Sequence, residues 1–319
     1  MKKQKARKRA SSEARLENAK TFRVPATLTL VNTQYRSMLI QMIEKIKVEL
    51  LIKRRSVVLD FTSTSKIHVD GMILLFSEVS RLKKFADSPV KIGIKMPKRG
   101  KTNQVLRQIG MYQLLGIAGG RMPRDKDVVS WNATSDSTAV GEKFETILQG
   151  VKTENEATDG LYISTTESMT NAMNHAYISP RITSDNHGHL HRWWMFSQVR
   201  NGELTVVFCD LGIGIPASLR EKRPTFIKKL VATAMNEVES CIIESATKPS
   251  ATRTRLEHRG KGLPEMIKHL DRHKKASLRI LSNMGSFYRS AGQTKKRDYN
   301  ESIGGTLLIW TIQLEKEPS

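Results

Sequence analysis

Cysteine is nearly absent from this sequence. Two occur in 319 residues, Cys209 and Cys241, and neither belongs to a CxxC pair or a Cys/His spacing, which excludes a disulfide framework and a structural zinc site. Long apolar runs are missing too. Stretches such as Met72 to Phe76 (MILLF) fall far short of the ~20 residues needed to cross a bilayer, and the start MKKQKARKRASS carries no apolar signal segment. A cytoplasmic protein with no membrane partner is therefore expected.

Acidic residues are the other shortage. Against 53 Lys and Arg stand 31 Asp and Glu, a formal charge of +22. The first 24 residues hold nine Lys/Arg and two Glu, or +7, which leaves +15 for the remainder. The basic character is general, and it favours polyanionic partners: nucleic acid, nucleotide phosphates or an acidic protein. For the terminal arm itself, a solubilising tail is an equal reading.

What is present describes a globular chain. With 39% hydrophobic and 26% charged residues it is long enough for two ordinary domains with real cores. No internal repeat is found. Residues 1–22 read as a basic disordered arm. After it come a strand at TLTLV (27–31), helix-period residues from Tyr35 to Lys53, a strand SVVLDF (56–61), a helix over 70–85, a strand VKIGIKM (90–96) and a helix over 103–117. Strands alternating with helices predict an α/β layer domain.

The polar stretch WNATSDSTAVGEK (131–143) reads as a structureless linker. Beyond it the pattern predicts helices near 143–150 and through ESMTNAMNHAY (167–177). Strands HRWWMFSQV (191–199) and ELTVVFCDLG (203–212) are joined by Asn201-Gly202, a hairpin turn signal. A long segment from 216 to 259 with a helical portion ATAMNEVESCIIESA follows. A helix over 264–273, a strand SLRILSN (277–283), another near SFYRS and a closing strand GTLLIWTIQL (305–314) complete the chain.

Three short stretches carry chemistry. In ESMTNAMNHAY, Glu167, Asn171, Asn174 and His175 fall on one side of a helix at ~100° per residue, and Met169, Ala172, Met173 and Ala176 on the other. Taken alone, this is an amphipathic helix whose polar face meets water. Asn171 has a neutral oxygen suited to Mg²⁺, Glu167 one turn earlier is placed to take a proton, and His175 one turn later can reach a phosphate or be structural.

The second stretch is Asp210-Leu211-Gly212-Ile213-Gly214-Ile215, after an apolar strand. Its carboxylate can accept the amino hydrogens of adenine, and Gly212 and Gly214 let backbone approach a base or phosphates. The third is Arg259-Gly260-Lys261-Gly262-Leu263, glycines running into a helix whose free N–H groups and dipole favour phosphate, with Arg259 and Lys261 adding charge.

Each motif is weak singly; their order and spacing are more specific. ExxxNAxxH, DxGxGI and RGxGL, closed by Gly304-Gly305-Thr306, together resemble the GHKL ATPase superfamily, to which DNA gyrase and the histidine kinases belong. ExxxNAxxHxY is most similar to the anti-sigma-factor serine kinases. The resemblance covers roughly residues 140–315. It implies a Bergerat fold with helices on one face of a mixed sheet, binding ATP and Mg²⁺. By it Glu167 is the catalytic base and Asn171 the metal ligand. Asp210 reads adenine, with Gly212, Gly214, Ile215, Thr306 and the 259–263 segment around the nucleotide, and 216–259 is the ATP lid. That lid is longer than those of the anti-sigma kinases.

Residues 56–117 resemble the STAS domain of anti-sigma-factor antagonists. Aligning Ile67 and Gly71 with the ends of that family's phosphorylation turn puts Asp70 at the position of its serine and His68 at that of its aspartate. Asp70 then implies a permanently charged form of the switch. The organisation expected is an arm (1–22), a STAS-like domain (23–125), a linker (126–142) and an ATPase domain (143–319).

Other features are weighed less. HGHLH, with His187, His189 and His191, lacks a carboxylate or cysteine to complete a metal site, and Trp193 and Trp194 read as core. No histidine sits in the setting of a kinase dimerisation hairpin. Three functions follow: an ATP switch with slow hydrolysis whose lid controls docking of the STAS-like domain or a partner; a serine/threonine kinase of the anti-sigma type; and an ATP-regulated module contacting nucleic acid through its basic arm. A protein partner or a homodimer is expected in the first two.

Overall fold

The structure is a computed structural model. It describes residues 18–85, 90–98, 100–117, 122–139, 141–149, 151, 156–177, 191–233, 238–249, 262–273 and 275–314. The chain divides into two compact units, Met1–Val129 and Ser130–Ser319. Both mix helices and strands, and no helix among the described residues is long and apolar enough to cross a membrane.

The first unit contains β1 (Lys20–Arg23), β2 (Thr27–Leu28), α1 (Thr33–Lys47, continued by a π turn over Val48–Ile52), β3 (Val57–Asp60) and β4 (Lys66–Ile67). After these come α2 (Val69–Phe85), β5 (Ile92–Lys95), α3 (Gly100–Gln108), α4 (Met111–Leu114) and α5 (Lys126–Val129). Strands β1, β3 and β5 form one parallel sheet, and β2 and β4 a parallel pair. A parallel strand needs cover on both faces, so its residues are apolar. In the middle strand, Val57 and Leu59 are fully buried. Helix α1 starts where the Asn32 side chain accepts from the backbone N–H of Tyr35 at 3.1 Å, an N-cap.

Three expectations change here. Residues 20–22, placed in the disordered arm, belong with Arg23 to a strand held in register against Val57–Asp60; residues 1–17 lie outside the described residues. The strand expected over 27–31 stops at Leu28. Its next N–H groups turn to side chains, Leu30 N to Asp70 Oδ2 at 2.6 Å and Val31 N to Thr29 Oγ1 at 3.2 Å. The helix expected over 103–117 breaks into α3 and α4 at Gly110, whose φ is 79°.

Asp70, aligned with the serine of the family's phosphorylation turn, is buried. It is 6% exposed and accepts from Thr29 Oγ1 at 2.9 Å as well as from Leu30 N. Two donors fixing one buried carboxylate make it a tie between the first turn of α2 and the end of β2.

The second unit contains β6 (Asn132–Asp136), α6 (Glu142–Leu148), α7 (Glu156–Asn171, continued by a π turn over Ala172–Ala176), β7 (Trp193–Arg200), β8 (Glu203–Asp210) and α8 (Gly214–Lys222). It continues with α9 (Pro224–Thr233), α10 (Val238–Thr247), α11 (Gly262–Asp271), β9 (Ala276–Ser282), β10 (Gly285–Ser290), β11 (Gln293–Asp298) and β12 (Thr306–Gln313). Its sheet runs β11-β10-β9-β12-β8-β7-β6, and every neighbouring pair is antiparallel. The expected mixed sheet is therefore not observed. β8 and β9 do run the same way, but β12 inserts between them and opposes both.

Alternation of side chains sends Met195, Val206, Phe208, Leu278, Ile280, Phe287, Leu308 and Trp310 to one face. There they pack on Met169 and Ala172 of α7, Met266 and Leu270 of α11 and Ile243 of α10. Burying each large apolar side chain contributes roughly 1.5–3 kcal/mol, which makes this layer the main support of the site. The β7–β8 turn takes Asn201 to φ 54° and Gly202 to φ 75°, a type I′ turn as the Asn-Gly pair predicts.

The segment read as a linker contains β6, paired from Asn132↔Ser197 to Asp136↔Trp193. Asn132 Nδ2 also donates to the carbonyls of Ile147 and Gln149, which ties β6 to the end of α6. Within the range assigned to a lid, α10 is a packed element. Ile242 and Ile243 are fully buried, and Asp298 of β11 caps its first turn by accepting from Glu239 N and Ser240 N at 2.8 and 2.7 Å.

Candidate functional site

The end of the apolar strand β8 delivers Asp210 in register with Thr306, the first residue of β12. Its carboxylate is 5% exposed, and Oδ1 accepts from the Gly212 N–H at 2.9 Å, which turns the chain off the strand. Burial pushes the Asp210 pKa up to about 7, against the opposing pull of the Gly212 and Thr306 N–H groups. A buried carboxyl with two backbone donors still has acceptor capacity on its two oxygens.

The turn after Asp210 is locked to the end of α7. The Ala176 carbonyl accepts from Ile213 N at 2.8 Å. Tyr177 Oη accepts from Leu211 N at 3.2 Å and donates to the Arg192 carbonyl. Burial, and then the nearby Asp210, raise the Tyr177 phenol well above its ordinary range. A Cβ at Gly212 would lie 2.3 Å from the Ala176 oxygen, and one at Gly214 would lie 2.6 Å from the Asn283 amide. On the Cα side, the room that the sequence assigned to a nucleotide is thus filled by Ala176 and Asn283, because the strand end folds back on the helix end.

A second cluster forms along α7. Glu167 and Asn171, one turn apart, face the first residue of α11: a Cβ on Gly262 would sit 2.7 Å from Glu167 Oε2 and 3.0 Å from Asn171 Nδ2. Only glycine allows the start of α11 to approach these two side chains so closely. Burial, and then the Glu265 carboxylate in the first turn of α11, raise the Glu167 pKa. Helix α7 packs this way because its buried hydroxyls are satisfied within the helix, Ser164 Oγ to Gly160 O and Ser168 Oγ to Ser164 O, both at 2.7 Å.

The two clusters are joined by the π turn. Asn171 and Ala176 are five residues apart, about 7 Å along a helix axis, and Ala176 touches Gly212. The end of α7 and the turn that follows Asp210 are therefore in contact. The same π turn corrects one expectation: Met173, assigned to the packing face, is 44% exposed, since a wider turn shifts every later side chain around the axis. Ala172 and Ala176 remain buried.

The remaining residues divide as follows. His175 Nδ1 contacts Lys222 Nζ in the last turn of α8. Ile215 N donates to Ser282 Oγ at 2.9 Å, and Ser282 Oγ lies 3.1 Å from Thr306 Oγ1. Leu263 and Ile215 pack against the apolar layer. Arg259, Gly260 and Lys261 lie outside the described residues, as do His187 and His189.

Sequence reasoning missed Tyr177, Ser282, Asn283 and Glu265. Asn283 Nδ2 donates to the Ile213 carbonyl at 2.9 Å, so the Ser282-Asn283 pair holds the turn that follows Asp210. The available signal was a polar pair closing the apolar strand SLRILSN, and a tyrosine one turn past Met173.

No family model matches the chain, and no curated protein matches it.

Gly262 offers a separable test. The atoms an added Cβ would meet are the far ends of two flexible side chains, so Gly262→Ala is expected to displace Glu167 and Asn171 at little cost to the fold. Chemical denaturation should place the variant within about 1 kcal/mol of the parent. If the sequence expectation of Mg²⁺-dependent nucleotide binding holds, that binding, read by calorimetry, should fall about tenfold through misplacement of the two side chains.

Proposed function

We propose that the second unit is a Mg·ATP-binding domain of the GHKL type with slow ATP hydrolysis, and that the first is a STAS-like regulatory domain. The observation that carries this reading is the meeting of Glu167, Asn171 and Gly262 at the start of α11, on a helix whose following π turn ends at Ala176 against the turn after Asp210.

The residues present fit both groups. A carboxylate and an amide oxygen are hard ligands of the kind Mg²⁺ takes while it keeps waters and phosphate oxygens. Asn171 would hold the cation. Nucleotide phosphates would offer it further hard oxygen ligands. The bound cation supplies charge neutralisation on the phosphates.

The chain's own residues supply the rest. Asp210 accepts N–H hydrogens from the base, as its unused acceptor capacity permits. The N-terminus of α11 lays backbone N–H groups and a positive dipole end beside the phosphates. Glu167, with its pKa raised by burial and by Glu265, takes the proton of the attacking water. Tyr177, Ser282 and Asn283 fix the turn that carries Asp210. Nucleotide occupancy then controls association with a partner protein.

Titration calorimetry with ATP, with and without Mg²⁺, tests the proposal. Binding that strengthens with Mg²⁺ supports it; no heat at ATP concentrations of about 1 mM overturns it. With labelled ATP and lysate, free phosphate identifies an ATPase and phosphate on protein identifies a kinase of the anti-sigma type.

A further inference from the structure

Strands β11, β10 and β9, at one end of the large sheet, carry a feature that nucleotide binding leaves unused. Leu278, Ile280 and Phe287 face the helices, so alternation turns Arg279 of β9 and Tyr288 of β10 to the opposite face. Lys295 of β11 stands next to Tyr288 in register, and Arg297 lies two residues further along the same face.

The three side chains Arg279, Tyr288 and Lys295 thus form a row across three strands, spanning about 10 Å. The Arg279 guanidinium lies 4.6 Å from the centre of the Tyr288 ring, and that of Arg297 lies 5.2 Å from the centre of Tyr299. Lys295 and Arg297 are exposed, and Arg279 and Tyr288 half-buried. None of the residues that these three strands turn to this face is acidic.

We infer that this face binds single-stranded nucleic acid, the cations holding phosphates and the Tyr288 ring and guanidinium planes stacking on bases. Each element of the row matches that ligand. Positive charge with no acid on the same face attracts a polyanion, in keeping with the +22 of the chain. Aromatic rings and arginine planes stack on unpaired bases, which a duplex keeps inside its own stack. Lysines on an edge strand also guard against edge-to-edge pairing. That role accounts for Lys295 and needs neither Tyr288 nor an arginine two strands inward.

Fluorescence anisotropy of the full chain with a labelled oligothymidylate of roughly 20 nucleotides, over a salt series from about 50 mM, tests the inference. Tyr288→Ala is expected to weaken binding about tenfold through the lost stacking. Lys295→Ala with Arg297→Ala, both exposed and therefore compatible with the fold, is expected to flatten the salt dependence by about 1.4 in log–log slope, about 0.7 for each phosphate released. Thermal unfolding of each variant verifies that the fold is intact. Affinity and salt slope unchanged in the lysine–arginine variant overturn the inference, because binding then belongs elsewhere on this basic chain. So do tighter binding of a duplex of equal length and no binding by the parent at the lowest salt. ATP titration of the same variants stays at the parental value, so failure here is distinct from failure of the nucleotide site.

Discussion

Asn in place of Asp210 is expected to stabilise the ligand-free protein above neutral pH while weakening the proposed ATP binding about a hundredfold, through the loss of a charged acceptor at a buried position. The stability effect follows from the raised pKa. In the unfolded chain the carboxyl ionises near 3.8; in the folded protein burial holds its proton until about 7.

Well below pH 3.8 both states are protonated and the folded state carries no penalty. As pH rises through this window the folded state binds the proton that the unfolded state releases, so stability falls, and above pH 7 about 4 kcal/mol has been lost. The neutral amide removes that dependence. Any misfit of its N–H₂ toward the Thr306 N–H acts equally at all pH values, so the change with pH is the quantity to read. Urea denaturation at pH 5 and pH 8 should show the variant gaining on the parent by about 2–3 kcal/mol between the two. A constant difference would mean that Asp210 ionises at an ordinary pH in the folded state.

Glu167→Gln is expected to lower ATP hydrolysis by a factor of about 10² to 10⁴ while ATP still binds, since the amide preserves shape and removes the base. The parent rate should fall as pH drops through a value above the ordinary 4.5 of a glutamate, because only the ionised carboxylate accepts the proton. Glu265→Gln removes the like charge that assists burial in raising that value. Its pH–rate profile should therefore shift toward acid with the plateau rate retained. A profile that does not move would leave burial as the sole cause, and a Glu167→Gln variant with parental turnover would remove Glu167 from the chemistry.

How much of this was legible follows from where each residue's energy comes from. The Asn-Gly hairpin, α2, the last turn of α7 from Glu167 and the apolar strands β7, β8, β9 and β12 are locally encoded, because periodicity and turn chemistry act within a few residues. Strands β6 and β11 were not legible. They are the polar outer strands of the sheet, NATSD and QTKKRD, and only ladder hydrogen bonds to β7 and β10 make them strands. β1 was hidden for the same reason: KTFR in a basic run acquires its conformation from β3.

The candidate site divides in a similar way. Spacing along one helix was enough to put Glu167 and Asn171 on a common face, and an apolar run was enough to put Asp210 at the close of a strand, two residues before the end expected for it, since both relations are short in sequence. That Gly262 closes on the first pair, that a π turn carries Ala176 onto Gly212, and that Asp70 is tied down at the end of β2 depend on contacts between segments tens of residues apart. Composition alone established an excess of positive charge. Its gathering into a row around Tyr288 is a matter of strand register, because a shift of one residue would turn the same side chains to the other face.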